Sequence, residues 1–185
     1  MKMDAVANPK PYFVFTPNLQ GRTVRLRPLL AHDFERLYAV ACDPLIWEQH
    51  PSPNQYQRQV FTNWFLKALK DGALIIEDQA SGKMIGSSRY YDLNEDQTEV
   101  AIGYTFLART HWGGKTNREL KQLMLAHAFA TVKTVWFHIG ASNLRSQKAI
   151  ERIGATFSHE GIKKVNGKNV DYVFYRIDKA LIVHH

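Results

Sequence analysis

Alternating apolar and polar positions between residues 99 and 107 give the clearest structural pattern in the chain. The large side chains on one side of this pattern are Val100, Ile102, Tyr104 and Phe106. They alternate with Glu99, Ala101, Gly103 and Thr105. A period of two predicts a β-strand with two different faces.

After Leu107 the pattern changes to that of a helix. Apolar positions then recur with helical spacing at Leu120, Leu123, Met124, His127 and Ala128. Asn117 is predicted as the N-cap, with Glu119 in the first turn. Residues 112–116 (WGGKT) join the strand to the helix, and their paired glycines allow the backbone to approach a ligand closely. This arrangement is typical of a phosphate site, although a simple tight turn before a capped helix has the same pattern.

A second strand and helix follow directly. Residues 135–139 form a short apolar run without alternation, which indicates a strand buried on both faces. Its distance from the first strand predicts a parallel βαβ pair. One face of the next predicted helix carries Ser146, Ala149, Ile150 and Ile153, and Gly154 is expected just beyond its end.

The remaining chain completes an α/β pattern. A strand is predicted over 21–29, helices over 33–43 and about 60–71, and hairpins over 73–92 and 155–177. The predicted order is β, α, α, β, β, β, α, β, α, β, β, a mixed sheet with helices on both faces. Residues 1–20 are expected to form an arm or tail, and residues 21–185 a single domain.

Composition indicates an ordinary globular domain. The chain has 185 residues, of which 45% are hydrophobic and 22% charged. Its one cysteine, Cys42, excludes an internal disulfide, and without a signal peptide the expected location is the cytoplasm. No apolar run is long enough to predict a membrane span.

The formal net charge of +7 comes from small, scattered groups of basic residues. Such groups favour a solvated surface, so neither a nucleic acid nor a membrane is expected as a partner. One group, Lys115, Arg118 and Lys121, is expected near the glycine turn, where it would attract an anionic ligand.

Two sets of motifs resemble a known family. The pattern Asn143-x-x-Ser146-x-x-x-Ile150-x-x-Ile153-Gly154-Ala155, one strand after a Trp-Gly-Gly turn, resembles the second half of a GNAT acetyltransferase. Leu26-Arg27-Pro28-Leu29 and Ile85-Gly86 resemble the branch that acetylates ribosomal-protein N-termini, the RimJ/RimL type. The resemblance covers roughly residues 22–178. It implies the GNAT fold, a mostly antiparallel mixed sheet with one splayed parallel strand pair and helices on both faces.

The resemblance also implies an acetyl-CoA site and no metal. The pantetheine arm would follow residues 105–107, and the pyrophosphate would lie over residues 113–117. The implied cofactor residues are Phe106, Leu107, Trp112, Gly113, Gly114, Lys115, Thr116, Asn117, Asn143 and Ser146.

Catalytic roles follow from the same resemblance. Many members carry a tyrosine proton donor seven residues after the asparagine, but here that position is Ile150. The ribosomal-protein branch uses a serine three residues after it, which is Ser146. Glu99 is the expected general base. The alternatives are Glu48, His50, His138 or a water relay, and they remain open.

Residues 44–56 form a proline-containing stretch without periodicity. It carries Trp47, Glu48 and His50, which would form one wall of a substrate pocket. Arg89 and Tyr91 are the other predicted acceptor-binding residues. Equally, Trp47 could fill the core while its two titratable neighbours face water.

The sequence therefore predicts an acetyl-CoA-dependent N-acetyltransferase. An amine acceptor, a protein N-terminus or a small amine, would attack acetyl-CoA directly in a ternary complex. The alternative is a catalytically inactive GNAT-like module that binds CoA or has a regulatory role. Three departures from the family pattern support it: Lys115, Asn117 and Ile150. A homodimer is compatible with either function.

Overall fold

A computed structural model describes residues 12–181 of the chain. Its strands are β1 (Leu19–Gln20), β2 (Val24–Pro28), β3 (Leu74–Asp78), β4 (Met84–Tyr91), β5 (Glu99–Leu107), β6 (Thr134–Gly140), β7 (Thr156–Val165) and β8 (Lys168–Asp178). Its α-helices are α1 (Phe34–Ala41), α2 (Arg58–Asp71), α3 (Lys115–Phe129) and α4 (Leu144–Glu151). The predicted order of elements is confirmed, with one additional short strand, β1.

The strands form one sheet in the order β1-β2-β3-β4-β5-β6-β8-β7. All neighbouring pairs are antiparallel except β5 and β6, which are parallel. The mixed, mostly antiparallel sheet with one parallel pair is therefore confirmed. Asn166 and Gly167 form the turn of the last hairpin and both have positive φ, as that turn type requires.

Helices cover both faces of the sheet, because the strands present apolar side chains to each side. In β3, Leu74 and Ile76 belong to one core cluster, whereas Ile75 belongs to the other. The first cluster packs against α3 and α4, and the second against α1 and α2. Burial on both faces fixes the register of the central strands, since a slip of one residue would exchange the two clusters.

Two predicted boundaries change. Helix α3 begins at Lys115 with Gly114 as its N-cap, so the predicted N-cap Asn117 is wrong and lies within the first turn. Part of the expected N-terminal arm is packed: Phe13 is buried and its ring lies 5.1 Å from that of Tyr90. Residues 1–11 of that arm lie outside the described residues. Within residues 12–181, no helix is long and apolar enough to cross a membrane.

Candidate active site

The parallel strands β5 and β6 separate along their length. They pair only at three positions, from Glu99 with Thr134 to Ala101 with Trp136. Beyond these, β5 continues to Leu107 and β6 to Gly140 without further pairing between them among the described residues. Because these parts of the two strands do not pair with each other, an extended ligand could bind between them as an added strand would.

A β-bulge lies in the part of β5 that no longer pairs with β6. The register between β4 and β5 shifts between Ser87 and Arg89, which places one extra residue on β5. Tyr104 has a φ of +51°, which lies in the left-handed region. The Arg89 guanidinium lies over its ring, 3.6 Å from the ring centroid. The bulge turns β5 away from β6 and so contributes to the opening.

The glycine turn follows β5 and leads into α3. Gly113 has a φ of +68°, and a Cβ built on it would meet nothing within 4 Å. Gly114 has a φ of −97° and precedes Lys115, the first helical residue. The left-handed position is thus Gly113, and the lysine that departs from the family pattern adopts an ordinary helical backbone. The first amides of α3 have no partner within the helix and point towards the turn.

Helix α4 begins beside the opening. The Asn143 side chain accepts a hydrogen bond from the Ser146 amide at 3.1 Å and caps the helix. Asn143 is buried, and both residues line the same cavity as Ile150. The cap therefore fixes the direction in which the first turn of α4 presents Ser146.

The segment 44–56 closes one side of the cavity with two short 3₁₀ turns. The Trp47 indole donates to the Ala41 carbonyl at 2.7 Å, and its ring lies 5.0 Å from that of Phe106. A Cβ on Gly140 would lie 2.7 Å from Pro51, so this glycine lets the segment approach β6. Trp47 is thus both a core residue and part of the cavity wall.

Together these elements enclose a cavity of about 830 Å³, a volume typical of ligand sites. The predicted site residues on its lining are Trp47, His50, Tyr91, Phe106, Leu107, Trp112, Gly113, Asn117, Asn143 and Ser146. Gly114, Lys115 and Thr116 adjoin the lining in the same turn but are not part of it.

Three further predicted residues do not line the cavity or adjoin it in the glycine turn. Glu99 lies at the start of β5, where its carboxylate accepts from the Trp136 indole at 2.7 Å. Arg89 is buried behind Tyr104 and donates to Asp71 at 2.9 Å. Glu48 is exposed. The structure does not bring the expected base Glu99 to the opening, because it precedes the bulge by five residues.

Lys121 lines the cavity as a buried side chain, and its burial was not predicted from the sequence. It was expected near the glycine turn, but the structure buries it at 5% exposure on the sheet side of α3. Its Nζ donates to Thr105 Oγ1 at 2.7 Å, and burial lowers its pKa to about 7. Its position in the sequence could have indicated this burial. Lys121 directly follows Leu120 and precedes Met124 by three residues, on the buried face of α3.

Arg145 and Lys163 also line the cavity and were not predicted. The Arg145 guanidinium lies 3.9 Å from the centroid of the Trp112 ring and donates to the Ile46 carbonyl at 3.0 Å. It joins the glycine turn to the 44–56 segment. Lys163 lies with its Nζ 2.6 Å from His138 Nδ1. Neither contact is local in sequence, so periodicity could not reveal it.

The two cavity histidines are weak bases. Burial lowers the pKa of His50 to about 4, and its Nδ1 accepts a hydrogen bond from the Ser52 amide, as an unprotonated ring nitrogen does. Burial and the nearby Lys163 charge lower the pKa of His138 to about 4. Both imidazoles are therefore neutral at pH 7. Within residues 12–181, no cluster of three or more His, Cys, Asp or Glu side chains could hold a metal ion.

Comparison with known proteins places these features in a family context. Residues 23–156 match the family model described as an acetyltransferase (GNAT) domain. No curated protein matches the sequence at a significant level.

Solved structures share the fold. A probable GNAT-family acetyltransferase from Chromobacterium violaceum superimposes with a TM-score of 0.82 at 18% identity, over 97% of this chain and 95% of that one. A GCN5-related N-acetyltransferase from Brucella melitensis gives 0.76 at 24% identity, over 93% and 81%. RimJ from Mycobacterium smegmatis, in complex with CoA-disulfide, gives 0.69 at 15% identity, over 91% and 89%.

Proposed function

The chain belongs to the GNAT acetyltransferase family, and we propose that it is an N-acetyltransferase that acetylates a primary amine in a ternary complex with acetyl-CoA. The observation that carries the proposal is the opening between β5 and β6, which leads directly to the Gly113 turn and the start of α3. A long ligand fits this arrangement if it has an extended arm that contains amides, for the opening, and phosphates at one end, for the turn.

The residues of the turn fit a pyrophosphate. Gly113 leaves open space where a side chain would stand. The free amides at the start of α3 and the positive end of the helix favour an anion there. Lys115 and Arg118 are exposed in the first turn of α3 and add positive charge. These residues would hold the phosphates, and the unpaired edges of β5 and β6 would bind the amides of the arm.

When bound, acetyl-CoA supplies an acetyl thioester whose sulfur leaves as a thiolate. Ser146 would hold a proton at Oγ for that sulfur. Three facts support this role: Ser146 lines the cavity, it lies in the first turn of α4, and the Asn143 cap fixes that turn. Ile150 stands at the position of the usual tyrosine donor, but its side chain is buried and has no acidic proton.

The acceptor amine must lose a proton before or during its attack. No carboxylate lines the cavity among the described residues, so Glu99 is not favoured as the base. His50 and His138 are neutral at pH 7, but the Nδ1 of each already accepts a hydrogen bond, from the Ser52 amide and from Lys163, so neither ring has a second acceptor nitrogen for the amine. Lys121 has a pKa of about 7 and is the cavity group best matched to neutral pH.

The RimJ/RimL branch is the subclass that we infer. Its support is Ser146 with the LRPL and IG motifs, together with the shared fold of the RimJ structure, which holds a CoA derivative. A single domain over residues 21–185, working in the cytoplasm, is part of the proposal. The single free cysteine agrees with a reducing compartment.

Acetyl transfer from acetyl-CoA to a panel of peptides and small amines tests the proposal. Product mass identifies the acceptor, and a thiol reagent measures the CoA released. Cys42 is exposed and reacts with the same reagent, so an enzyme-only sample provides its background. We expect amine-dependent CoA release together with an acetylated product. Binding of acetyl-CoA without any acetylated amine in the panel would instead favour a catalytically inactive module.

Ser146→Ala tests the assigned proton donor. Because a positioned general acid contributes roughly 10²-fold or more, turnover should fall by about that factor while the Kd for acetyl-CoA stays nearly unchanged. Ser142→Ala is the matched control, since Ser142 is exposed at the loop before α4 and does not line the cavity. A large loss of acetyl-CoA affinity in Ser146→Ala would show that the serine is structural or binds the cofactor.

A further inference from the structure

The cavity lining has an unbalanced charge. Five basic side chains line it, and no aspartate or glutamate of the described residues does. The five are Lys67, Lys121, Lys163, Lys164 and Arg145. An acceptor that carries several positive charges, such as a polyamine, would meet repulsion on entering this cavity.

Four of the five basic groups have a close partner within the protein, and these partners differ in charge. Lys67 pairs with Asp71 at 2.8 Å, and Lys121 donates to Thr105 at 2.7 Å. Arg145 stacks over Trp112 and donates to the Ile46 carbonyl. The close partner of Lys163 is the imidazole of His138, which is neutral at pH 7 and leaves the lysine charge uncompensated. Lys163 and its neighbour on β7, Lys164, are therefore the groups that we expect to meet an anionic ligand.

The ammonium group of Lys163 lies among aromatic side chains. Its Nζ lies 2.6 Å from His138 Nδ1, and the Tyr91 and Tyr172 ring centroids are 5.7 and 5.8 Å away. Its side chain is 33% exposed. The carboxylate paired with it, Asp92 Oδ2, lies 3.9 Å away on a side chain that is 62% exposed. An exposed pair at this distance is weak, so a partly desolvated ammonium faces the cavity with little neutralisation.

His138 supports the same interpretation. Because burial and the Lys163 charge lower its pKa to about 4, the imidazole is neutral and accepts a hydrogen bond from the ammonium. This contact orients Lys163 but does not neutralise it. A bound anion would supply the missing charge.

This position is separate from the phosphate turn. The Lys163 side chain contacts His138, Tyr91, Tyr172 and Asp92, and none of these residues belongs to the glycine turn at 112–116. A pyrophosphate over Gly113 therefore does not explain why a charged lysine lines this side of the cavity.

We propose that Lys163, oriented by His138 and flanked by Lys164 and Tyr172, forms an anion subsite for the acceptor. The acceptor is then an amine that also carries an anionic group, a carboxylate or a phosphate, and polyamines are disfavoured. This inference rests on the proposed acetyltransferase function, since it describes the acceptor half of that site.

A matched series of probes tests it. The series contains ω-amino acids of two to six carbons, the ω-aminoalkyl phosphates, the neutral ω-amino amides and the α,ω-diamines of the same lengths. Binding is measured by calorimetry with the protein alone and with saturating CoA, which fills the phosphate turn. Acetylation of the same probes is measured separately with acetyl-CoA.

At the best chain length, an anionic probe should bind at least about tenfold tighter than its amide, as expected for a charged hydrogen bond. The diamine should bind most weakly. Lys163→Met should remove this preference and Lys163→Arg should keep it. Lys168→Met, an exposed residue of the same hairpin outside the cavity, should behave as wild type.

Equal binding of anionic probe and amide at every length would overturn the inference, as would tighter binding of the diamine. An equal loss for all probes in Lys163→Met would show that the lysine is only structural. Absence of acetylation contradicts the proposed function, whereas the calorimetric preference tests the anion subsite by itself. The carboxylate and phosphate members show which anion is preferred.

Discussion

Lys121 is the residue whose environment differs most from what its type would suggest. It lies under β5 with its ammonium on Thr105 Oγ1, whose hydroxyl is 2.7 Å from that of Ser88. Two neutral hydroxyls do not replace the hydration that a lysine loses on burial. Burial therefore lowers its pKa from 10.5 to about 7.

This environment predicts a pH-dependent stability. Between the folded pKa of about 7 and the unfolded value of 10.5, the unfolded chain binds more protons at this lysine than the folded chain. The contribution of Lys121 to the free energy of unfolding should thus increase as pH rises through this window. The slope should approach about 1.4 kcal/mol per pH unit.

Chemical denaturation of wild type and Lys121→Met at pH 7, 8, 9 and 10 measures this contribution as a difference. The stability of wild type relative to Lys121→Met should rise with pH. Lys70→Met, at an exposed position of α2, should show a constant difference from wild type. A constant difference for Lys121→Met as well would mean that the buried ammonium keeps its ordinary pKa.

At this scale, sequence patterns found the residues whose position follows from an element. The resemblance to the family predicted Asn143 and Ser146 as site residues, and Ser146 also lies on the apolar face of the predicted helix; both line the cavity. Glu99 was located on the correct strand, but its distance from the opening depends on where β5 and β6 separate. The last pair is at Ala101, and the bulge at Tyr104 follows it; the periodicity of the sequence shows neither feature.

The glycine turn and α3 act as one element. Gly113 supplies a left-handed residue, and Gly114 leads into the helix with an extended backbone. The first amides of α3 have no partner within the helix, and together with the positive helix end they favour an anion at this turn. The two glycines therefore have different conformational requirements although they are adjacent.

Replacing each glycine by alanine separates these requirements. Gly113→Ala should lower the free energy of unfolding by about 1 kcal/mol, since alanine disfavours a φ of +68°. If the turn relaxes, acetyl-CoA affinity should also fall, by about fivefold for the same free energy. Gly114→Ala should leave stability nearly unchanged, because its φ is −97° and its nearest neighbour to a Cβ is 3.9 Å away. Equal losses in denaturation experiments on the two variants would contradict this assignment.

Most elements were predictable because they bury one face with a regular period. The start of α3 was not, since its first residues, Lys115 and Thr116, are polar and carry no stripe. Strand β1 is two residues long and depends on pairing with β2, which local sequence does not encode.

On the scale of the whole molecule, the sheet order brings distant segments to one cavity. The 44–56 segment, the opening between β5 and β6, the glycine turn and the β7–β8 hairpin all contribute to its lining. Contacts such as Asn166 Nδ2 donating to Ser52 Oγ at 3.2 Å join residues more than a hundred positions apart. The βαβ unit and its resemblance to a family predicted where the cavity begins. The charge of its acceptor side became visible only in three dimensions.

The melting temperature of the protein with acetyl-CoA, compared with ATP as an anion control, tests the central proposal most directly. A ligand that binds only the folded state stabilises it by about 2.7 kcal/mol at 100 times its Kd. For a chain of this size that corresponds to a rise of roughly 5–10 °C. We expect such a rise with acetyl-CoA and a clearly smaller one with ATP. No rise, or an equal rise with both ligands, would contradict an acetyl-CoA site between β5, β6 and α3.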